Sequence, residues 1–391
     1  MKKTYFLVSV FVVVVLLLGA YAQTPTATVV PATTAPTSVP ATVGPTNALA
    51  TQVATNQEPV TITFWDEASQ PPLNTVLQSQ IAEFMVKYPW ITVKESQLGW
   101  SDFFTKIDTA AAGGTAPDVL RVDHTLVPKY AFYKTIIPLD SFLPKNYEDD
   151  FFPSTVKDST YDGKIWAIPL HQSSEAIIYN QDIIAVAGLT PPISYDNPWT
   201  FDQFHQALEK VTKKNTNGSI RIWGFTTNYN LSTYDWELWI LAQGGTLMDA
   251  TNSKFTGYLN SDATINAATW FADLYMDRQA PIQTTPYMFQ TGKVAFWQSN
   301  AFGITEIQTR FPNFKFGVMP MPCDKICPVD SGQWEIGISS QSKHVEADWL
   351  LIDFLTNQPG ETECVTKTGY KPARESVYKP MPALQKYPMN I

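Results

Sequence analysis

The amino-acid sequence predicts an α/β protein made of two α/β units, and three observations carry that expectation. Between Val60 and Asp123, runs rich in β-branched residues alternate with helical patterns. A second alternation resumes after Pro198. Between the two, "YDGKIWAIPLHQSSEAIIYN" (residues 161–180) places two apolar strand-like runs, Ile165–Leu170 and Ala176–Tyr179, on either side of His171, Gln172, Ser173, Ser174 and Glu175. Such a polar knot is expected where a chain leaves one core, shows hydrogen-bonding groups to a shared cleft, and enters a second core.

The elements follow in order. "VTITFW" from Val60 is a strand by its β-branched content. "NTVLQSQIAEFMVKY" sets Leu77, Ile81, Phe84, Met85 and Tyr88 on one helical face, and Pro89 ends it. "ITV" is a second strand. Ser101 is expected to cap a helix that buries Phe104, Ile107 and Ala111 and stops at Gly113-Gly114, and "PDVLRVD" is a third strand. In the second unit Thr200 and Gln203 have the spacing of a capping box, ahead of a stripe of Phe201, Phe204, Leu208 and Val211. "WGFTT", "KVAFW", "FKFGVMP" and "WEIGIS" read as strands, and "DWELWILAQGG", "DATINAATWFADLYMDR" and "VEADWLLIDFLTN" as helices, the last with Ala347, Leu350, Leu351 and Phe354 inward. No internal repeat is visible.

Composition narrows the function classes. A chain of 391 residues with 44% hydrophobic and 16% charged residues has room for two cores. Its net charge of −9 comes without any basic stripe, which speaks against a nucleic-acid partner. Twelve Trp, 17 Tyr and 22 Phe leave room for aromatic ligand surfaces as well as core packing. Residues 1–22 have the layout of an export signal: Lys2 and Lys3, an apolar run Tyr5–Leu18, and the small-x-small site Ala20-Tyr21-Ala22. The run is also long enough to stay as a membrane anchor. Residues 23–58, rich in Thr, Pro and Ala, read as a disordered stalk reaching roughly 100 Å at about 3.1 Å per residue. Of the three cysteines, Cys323 and Cys327 are able to close a five-residue loop and Cys364 is left over; two cysteines without a nearby His do not make a metal site.

At this point the residues resemble a known family. "YDGKIWAIPL…AIIYNQD", "GGTAPDVL", "PWTFDQFHQALEKVT", "LAQGGTL", "TGKVAFW", "FGVMPMP" and "GISSQSK…ADWLLIDFLT" are similar, in order from about Val60 to Arg374, to the extracellular solute-binding proteins of ABC sugar importers, the relatives of the maltodextrin-binding protein. The resemblance implies a type II-like periplasmic-binding-protein fold, two hinge-linked lobes with a central ligand cleft. Lobe one would be residues 59–170 with about 331–357, and lobe two residues 171–322 with about 358–391, the second crossover lying at 323–330. It also implies a permease pair in the membrane that accepts the loaded form, no cofactor, and a monomer. Family members continue for several helical turns beyond the "TGYKPAR" region, whereas here Ile391 is last, so either the final segment is short or the sequence is a fragment.

In an α/β sheet a ligand lies beyond the carboxyl ends of the strands. A sugar needs paired hydrogen-bonding groups for its hydroxyls and flat rings for its C–H faces. That rule selects Trp65, Asp66 and Glu67 after strand one, and Asp123 and His124 after strand three. It selects His171, Gln172 and Glu175 in the knot, and Tyr229, Tyr234, Asp235 and Trp236 around the start of the helix "DWELW". Trp297 and Asn300 at the end of "KVAFW", and Gln333, Trp334 and Glu335 at the second crossing, complete the candidate set. Bland readings stand beside these: Asp123 as a helix cap, Trp236 and Trp297 as core, Glu175 as solvated, His124 and His171 as polar surface. Trp65 is left open between the two faces of its strand.

The function that follows is carbohydrate capture outside the membrane for an ABC importer, without chemistry. Three alternatives stand. A receptor for another solute is one, with glycerol phosphate disfavoured because the candidate loops hold no Arg or Lys, and polyamines or amino sugars open because the set is acidic. An exported glycosidase is another, needing two carboxyls about 5 to 10 Å apart. A structural adhesin on the stalk is the third.

Overall fold

In the computed structural model, which describes residues 57–68, 72–227, 233–249, 253–330 and 332–391, the strands gather into two mixed sheets. The first has the order β2 (Ile91–Leu98), β1 (Val60–Glu67), β3 (Val119–Asp123), β12 (Gly332–Ile338), β6 (Ile168–Ser173). The second has β11 (Phe316–Met319), β7 (Ala176–Asn180), β10 (Val294–Ser299), β9 (Ile220–Thr226), β8 (Lys213–Lys214). A two-stranded ribbon, β4 (Thr160–Tyr161) and β5 (Lys164–Ile165), precedes β6. All of this belongs to one unit, Gln57–Ile391.

Each sheet is covered on both faces, which is why the inner strands β3, β7 and β10 are buried at nearly every position, while the edge strand β2 alternates. On the first sheet, Ile62, Phe64, Ile168, Leu170 and Ile336 pack under helices α1 (Leu73–Lys87), α8 (Val345–Thr356) and α9 (Gln358–Thr368). Leu120 and Val122 face the other way, onto Phe103 and Ile107 of α2 (Trp100–Gly113). On the second sheet, Ile177, Tyr179, Phe225 and Phe296 meet α4 (Phe201–Val211), α5 (Thr233–Ala242) and α6 (Asp262–Met276). Ile178, Val294, Trp297 and Val318 meet α7 (Ala301–Arg310) on the opposite face. The short helix α3 (Pro153–Ser159) lies against β6.

Several expectations are met locally. Thr200 and Gln203 form the reciprocal capping box of α4, and Gly114, at φ 73°, ends α2 in the left-handed conformation that a glycine adopts without steric cost. Cys323 and Cys327 are bonded, and Cys364 is buried and free. Others change. Helix α2 is capped at Gly99, not Ser101. Its buried stripe is therefore Phe103, Ile107 and Ala110, which turns Phe104 toward the partly buried aromatic residues beside it. In α8 the fully buried apolar residues are Leu351, Ile352 and Leu355, with Ala347, Leu350 and Phe354 at the flanks, because the helix is pressed between the sheet and α9.

The tail departs most. The sequence places residues 358–391 with the second unit, but α9 packs on α1 and α8 and puts Cys364 into the first core. Arg374 continues there, 3.1 Å from Asp150. Only the last residues reach the other side, where Ile391 joins the core around Trp297.

Candidate functional site

The chain crosses between the sheets at Ser174-Glu175, after β6 and before β7, and returns between β11 and β12. The tail lies beside the first crossing, where Gln172 and Lys371 exchange backbone hydrogen bonds of 2.7 and 3.0 Å and Lys371 Nζ donates to the Ile391 carbonyl at 2.8 Å. The two strands that enter a sheet from the hinge, β7 and β12, run antiparallel to both neighbours. They begin at the edge where β1 and β3, or β9 and β10, end. Both sheets thus present their carboxyl ends to the hinge, the position at which α/β proteins hold ligands.

On the first sheet this edge carries a buried ion pair. Arg121 Nη1 donates to Asp66 Oδ1 at 2.8 Å, with both side chains fully buried. The guanidinium carbon lies 4.3 Å from the centroid of the Trp334 ring, a cation–π contact in a desolvated setting. Trp334 runs parallel to Phe104 at 6.4 Å and meets Trp100 edge to face at 5.9 Å. Trp65 is half-buried on the same face of the sheet as Leu120 and Val122. Glu67 is buried. Asp123 caps the following turn, its Oδ1 accepting from Thr125 N at 3.0 Å. His124 Nδ1 accepts from the Gln333 backbone N–H at 3.3 Å.

The knot itself is not the exposed polar surface that the sequence suggests. His171 and Glu175 are each 1% exposed, and Ser173 is buried too. His171 stacks on Tyr370, ring centroids 4.1 Å apart, and neither ring nitrogen has a hydrogen-bond partner among the described residues. Burial, with the nearby Arg121 charge, drives its pKa down to about 3, so the ring is neutral. Gln172 donates to the Thr155 hydroxyl. Gln333 donates to Glu335 Oε1, which also accepts from Ser159 at 3.1 Å. Burial outweighs these hydrogen bonds and lifts the Glu335 carboxyl to about 8. Lys371, its pKa lowered by burial, donates to Ser174 Oγ at 2.7 Å.

From the second sheet, Gln298 ties the hinge to the core. Its side chain accepts from Trp239 Nε1 at 2.8 Å and donates to Glu175 Oε2. The Glu175 backbone N–H donates to Asp330 Oδ1 at 2.6 Å. Asn300 is buried as the N-cap of α7, accepting from Phe302 N at 3.0 Å. Trp297 is a core residue, 7% exposed and 5.4 Å from Phe289. A Cβ added at Gly303 would lie 2.9 Å from it, so α7 closes directly over the ring. Trp236 is half-buried against the same lobe's main core. Tyr229 lies outside the described residues, and Tyr234 and Asp235 fall in the first turn of α5, whose side chains are described from Trp236 onward.

The candidates thus separate into groups. Asp66, Trp334, His124 and Gln333 are brought together at the first sheet's edge, and Gln172, Gln333 and Glu335 around Thr155 and Ser159. Glu175 joins Gln298 at the crossing. Trp297 and Asn300 serve packing and capping. Sequence reasoning passed over Arg121, Trp100 and the pair Tyr370 and Lys371. Arg121 sits inside the quoted strand "PDVLRVD", where a lone charge in an apolar run is a signal of a buried partner.

Two α/β lobes linked at a polar hinge, with strand ends from both facing it, define a two-lobe solute-binding protein. The chain belongs to the family of bacterial extracellular solute-binding proteins, which it matches over residues 67–362. Among solved structures it is similar to an ABC substrate-binding protein from Listeria monocytogenes in complex with cycloalternan, at 22% identity and TM-score 0.73, covering 85% of this chain and 84% of that one. It is similar also to an ABC transporter solute-binding protein from Thermotoga lettingae bound with α-D-tagatose, at 26% identity and TM-score 0.71, covering 82% and 83%. A maltotriose-binding protein of Pyrococcus abyssi is 23% identical over 301 residues, 74% of this chain and 61% of the relative. Among the described residues no helix is long and apolar enough to cross a membrane.

Proposed function

We propose that this chain captures a neutral carbohydrate outside the membrane and hands it to the membrane subunits of an ABC importer, without altering it. The observation that carries the reading is the edge of the first sheet, where indole and phenyl rings stand beside Asp123, His124 and Gln333. Rings for C–H faces and paired polar groups for hydroxyls are what a sugar requires. The relatives' own ligands, maltotriose, cycloalternan and tagatose, are all carbohydrates.

Arg121 and Lys371, two cations beside the hinge among the described residues, are both engaged, by Asp66 and by Ser174. A phosphate-bearing cargo such as glycerol phosphate therefore fits less well than a neutral one. Glu67 and Asp123 keep an amino sugar or polyamine as the second reading. Hydrolysis is disfavoured because the Asp66 carboxylate is fully buried against Arg121. The first lobe comprises residues 57–173 with 332–378, and the second residues 176–319 with the last residues of the tail. The lobes close as rigid bodies about the hinge, in a monomer, with residues 1–22 directing export and 23–58 acting as the stalk.

A thermal-shift series with maltotriose, mannotriose, tagatose, glucosamine and spermidine tests this, since a ligand that binds only the folded state raises its melting temperature. A rise with at least one neutral sugar is expected. A rise with spermidine alone, or measurable cleavage of maltotriose during incubation, would overturn the reading.

A further inference from the structure

We infer that Trp100, at the start of α2, is the open aromatic plate on which a sugar ring of the cargo stacks. The inference rests on the carbohydrate reading and deepens it by naming one residue of the site and the surface it offers.

Position comes first. Helix α2 follows β2, which runs parallel to β1, so the first residue of α2 stands at the edge where β1 and β3 also end. Trp100 shares that edge with Trp334, the third residue of β12 and the partner of Asp123 across the ladder. The second point is exposure. Trp100 is 53% exposed, whereas Trp65, Phe104 and Trp334 are all partly buried against the apolar face of the sheet.

Neither of its aromatic neighbours offers a comparable face. Arg121 covers one face of Trp334 at 4.3 Å, and Phe104 runs parallel to the same ring at an interplanar angle of 9°. Those two rings instead hold Trp100, which meets Phe104 at 5.2 Å and 83° and Trp334 at 5.9 Å and 89°. Edge-to-face contacts of this kind fix a ring without hiding its remaining surface. A side chain already ordered has little conformational freedom left to lose when a ligand covers it. The buried pair of Arg121 and Asp66 then acts at one remove, holding Trp334 and through it the plate.

An isolated exposed tryptophan is unremarkable on a protein surface. What distinguishes Trp100 is the combination of a ring fixed by two others, an exposed surface, and a place beside Trp334 at the strand ends.

The test compares the full chain with Trp100→Ala and Trp100→Phe by calorimetric titration with maltotriose, mannotriose and tagatose. For whichever sugar the unaltered chain binds, Trp100→Ala should weaken affinity at least about tenfold, or roughly 1.4 kcal/mol, and Trp100→Phe should keep most of it. The ligand-free melting temperatures should stay close together, since the ring is half in water. As a second readout, sugar should shield part of the tryptophan emission from acrylamide in the unaltered chain, and that shielding should vanish in Trp100→Phe. Equal affinities in Trp100→Ala and the unaltered chain would overturn the inference while leaving carbohydrate capture standing. No binding of any of the sugars by the unaltered chain would remove both.

Discussion

The Arg121 guanidinium lies between the Asp66 carboxylate, 2.8 Å away, and the Trp334 ring, whose centroid is 4.3 Å from the guanidinium carbon. One buried cation therefore serves two purposes at the first sheet's edge. It neutralises a carboxylate that no water reaches, and it supports the ring beside which the exposed Trp100 stands. The charge is a cost of desolvation that only good partners offset. Its presence in an otherwise apolar strand is explained by what it holds in place.

Arg121→Met should be strongly destabilising. Removing one partner of a buried pair leaves the other charge uncompensated, a loss of about 3–5 kcal/mol. The double variant Arg121→Met with Asp66→Leu should recover most of that loss, because no buried charge remains. Urea unfolding at neutral pH measures both. If the single variant is as stable as the parent, the pair has no structural role.

Trp297→Ala should damage the fold and not the site. Trp297 is sealed between Phe289 and α7, so its truncation opens a cavity costing about 3–5 kcal/mol. Sugar affinity of the folded fraction should be unchanged. A variant of parental stability with weakened sugar binding would place Trp297 in the site after all.

Stability should fall as pH rises toward 8, through Glu335. An unfolded glutamate titrates near 4.5, while in the fold burial lifts Glu335 to about 8. Between those values the folded chain holds a proton that the unfolded chain has lost, so each step up in pH favours unfolding. The contribution is complete below pH 4.5 and gone above about 8. Glu335→Gln, which keeps the hydrogen bonds and never ionises, should match the parent at pH 5 and exceed it at pH 9. Asp348 and Glu361, each pushed up to about 7 by burial, leave a residual slope of the same sign. An identical drop between pH 5 and pH 9 in parent and variant would show that Glu335 does not carry the effect.

Much of the architecture was legible in the residues. The strand and helix order, the capping box at Thr200, the stop at Gly114 and the crossing near His171 are local signals, set by propensity and by turn and cap chemistry within a few positions. The ordered motifs that pointed to the family lie on these elements, and the family match confirms them. What could not be read was which side chains face the hinge. Both sheets are covered on both faces, so β7 and β10 are buried at every position and show no alternation to separate inward from outward.

The sequence by itself determined that this chain forms two α/β units around a polar crossing, because secondary structure follows from neighbours in the chain. Only the tertiary structure decided that Asp66 is spent on Arg121, that Glu175 is met by Gln298 from 123 residues away, that the tail packs first on the opposite lobe, and that Trp100 rather than Trp297 keeps its ring in water. Those outcomes depend on which surfaces meet when distant segments pack, and no local pattern encodes that meeting.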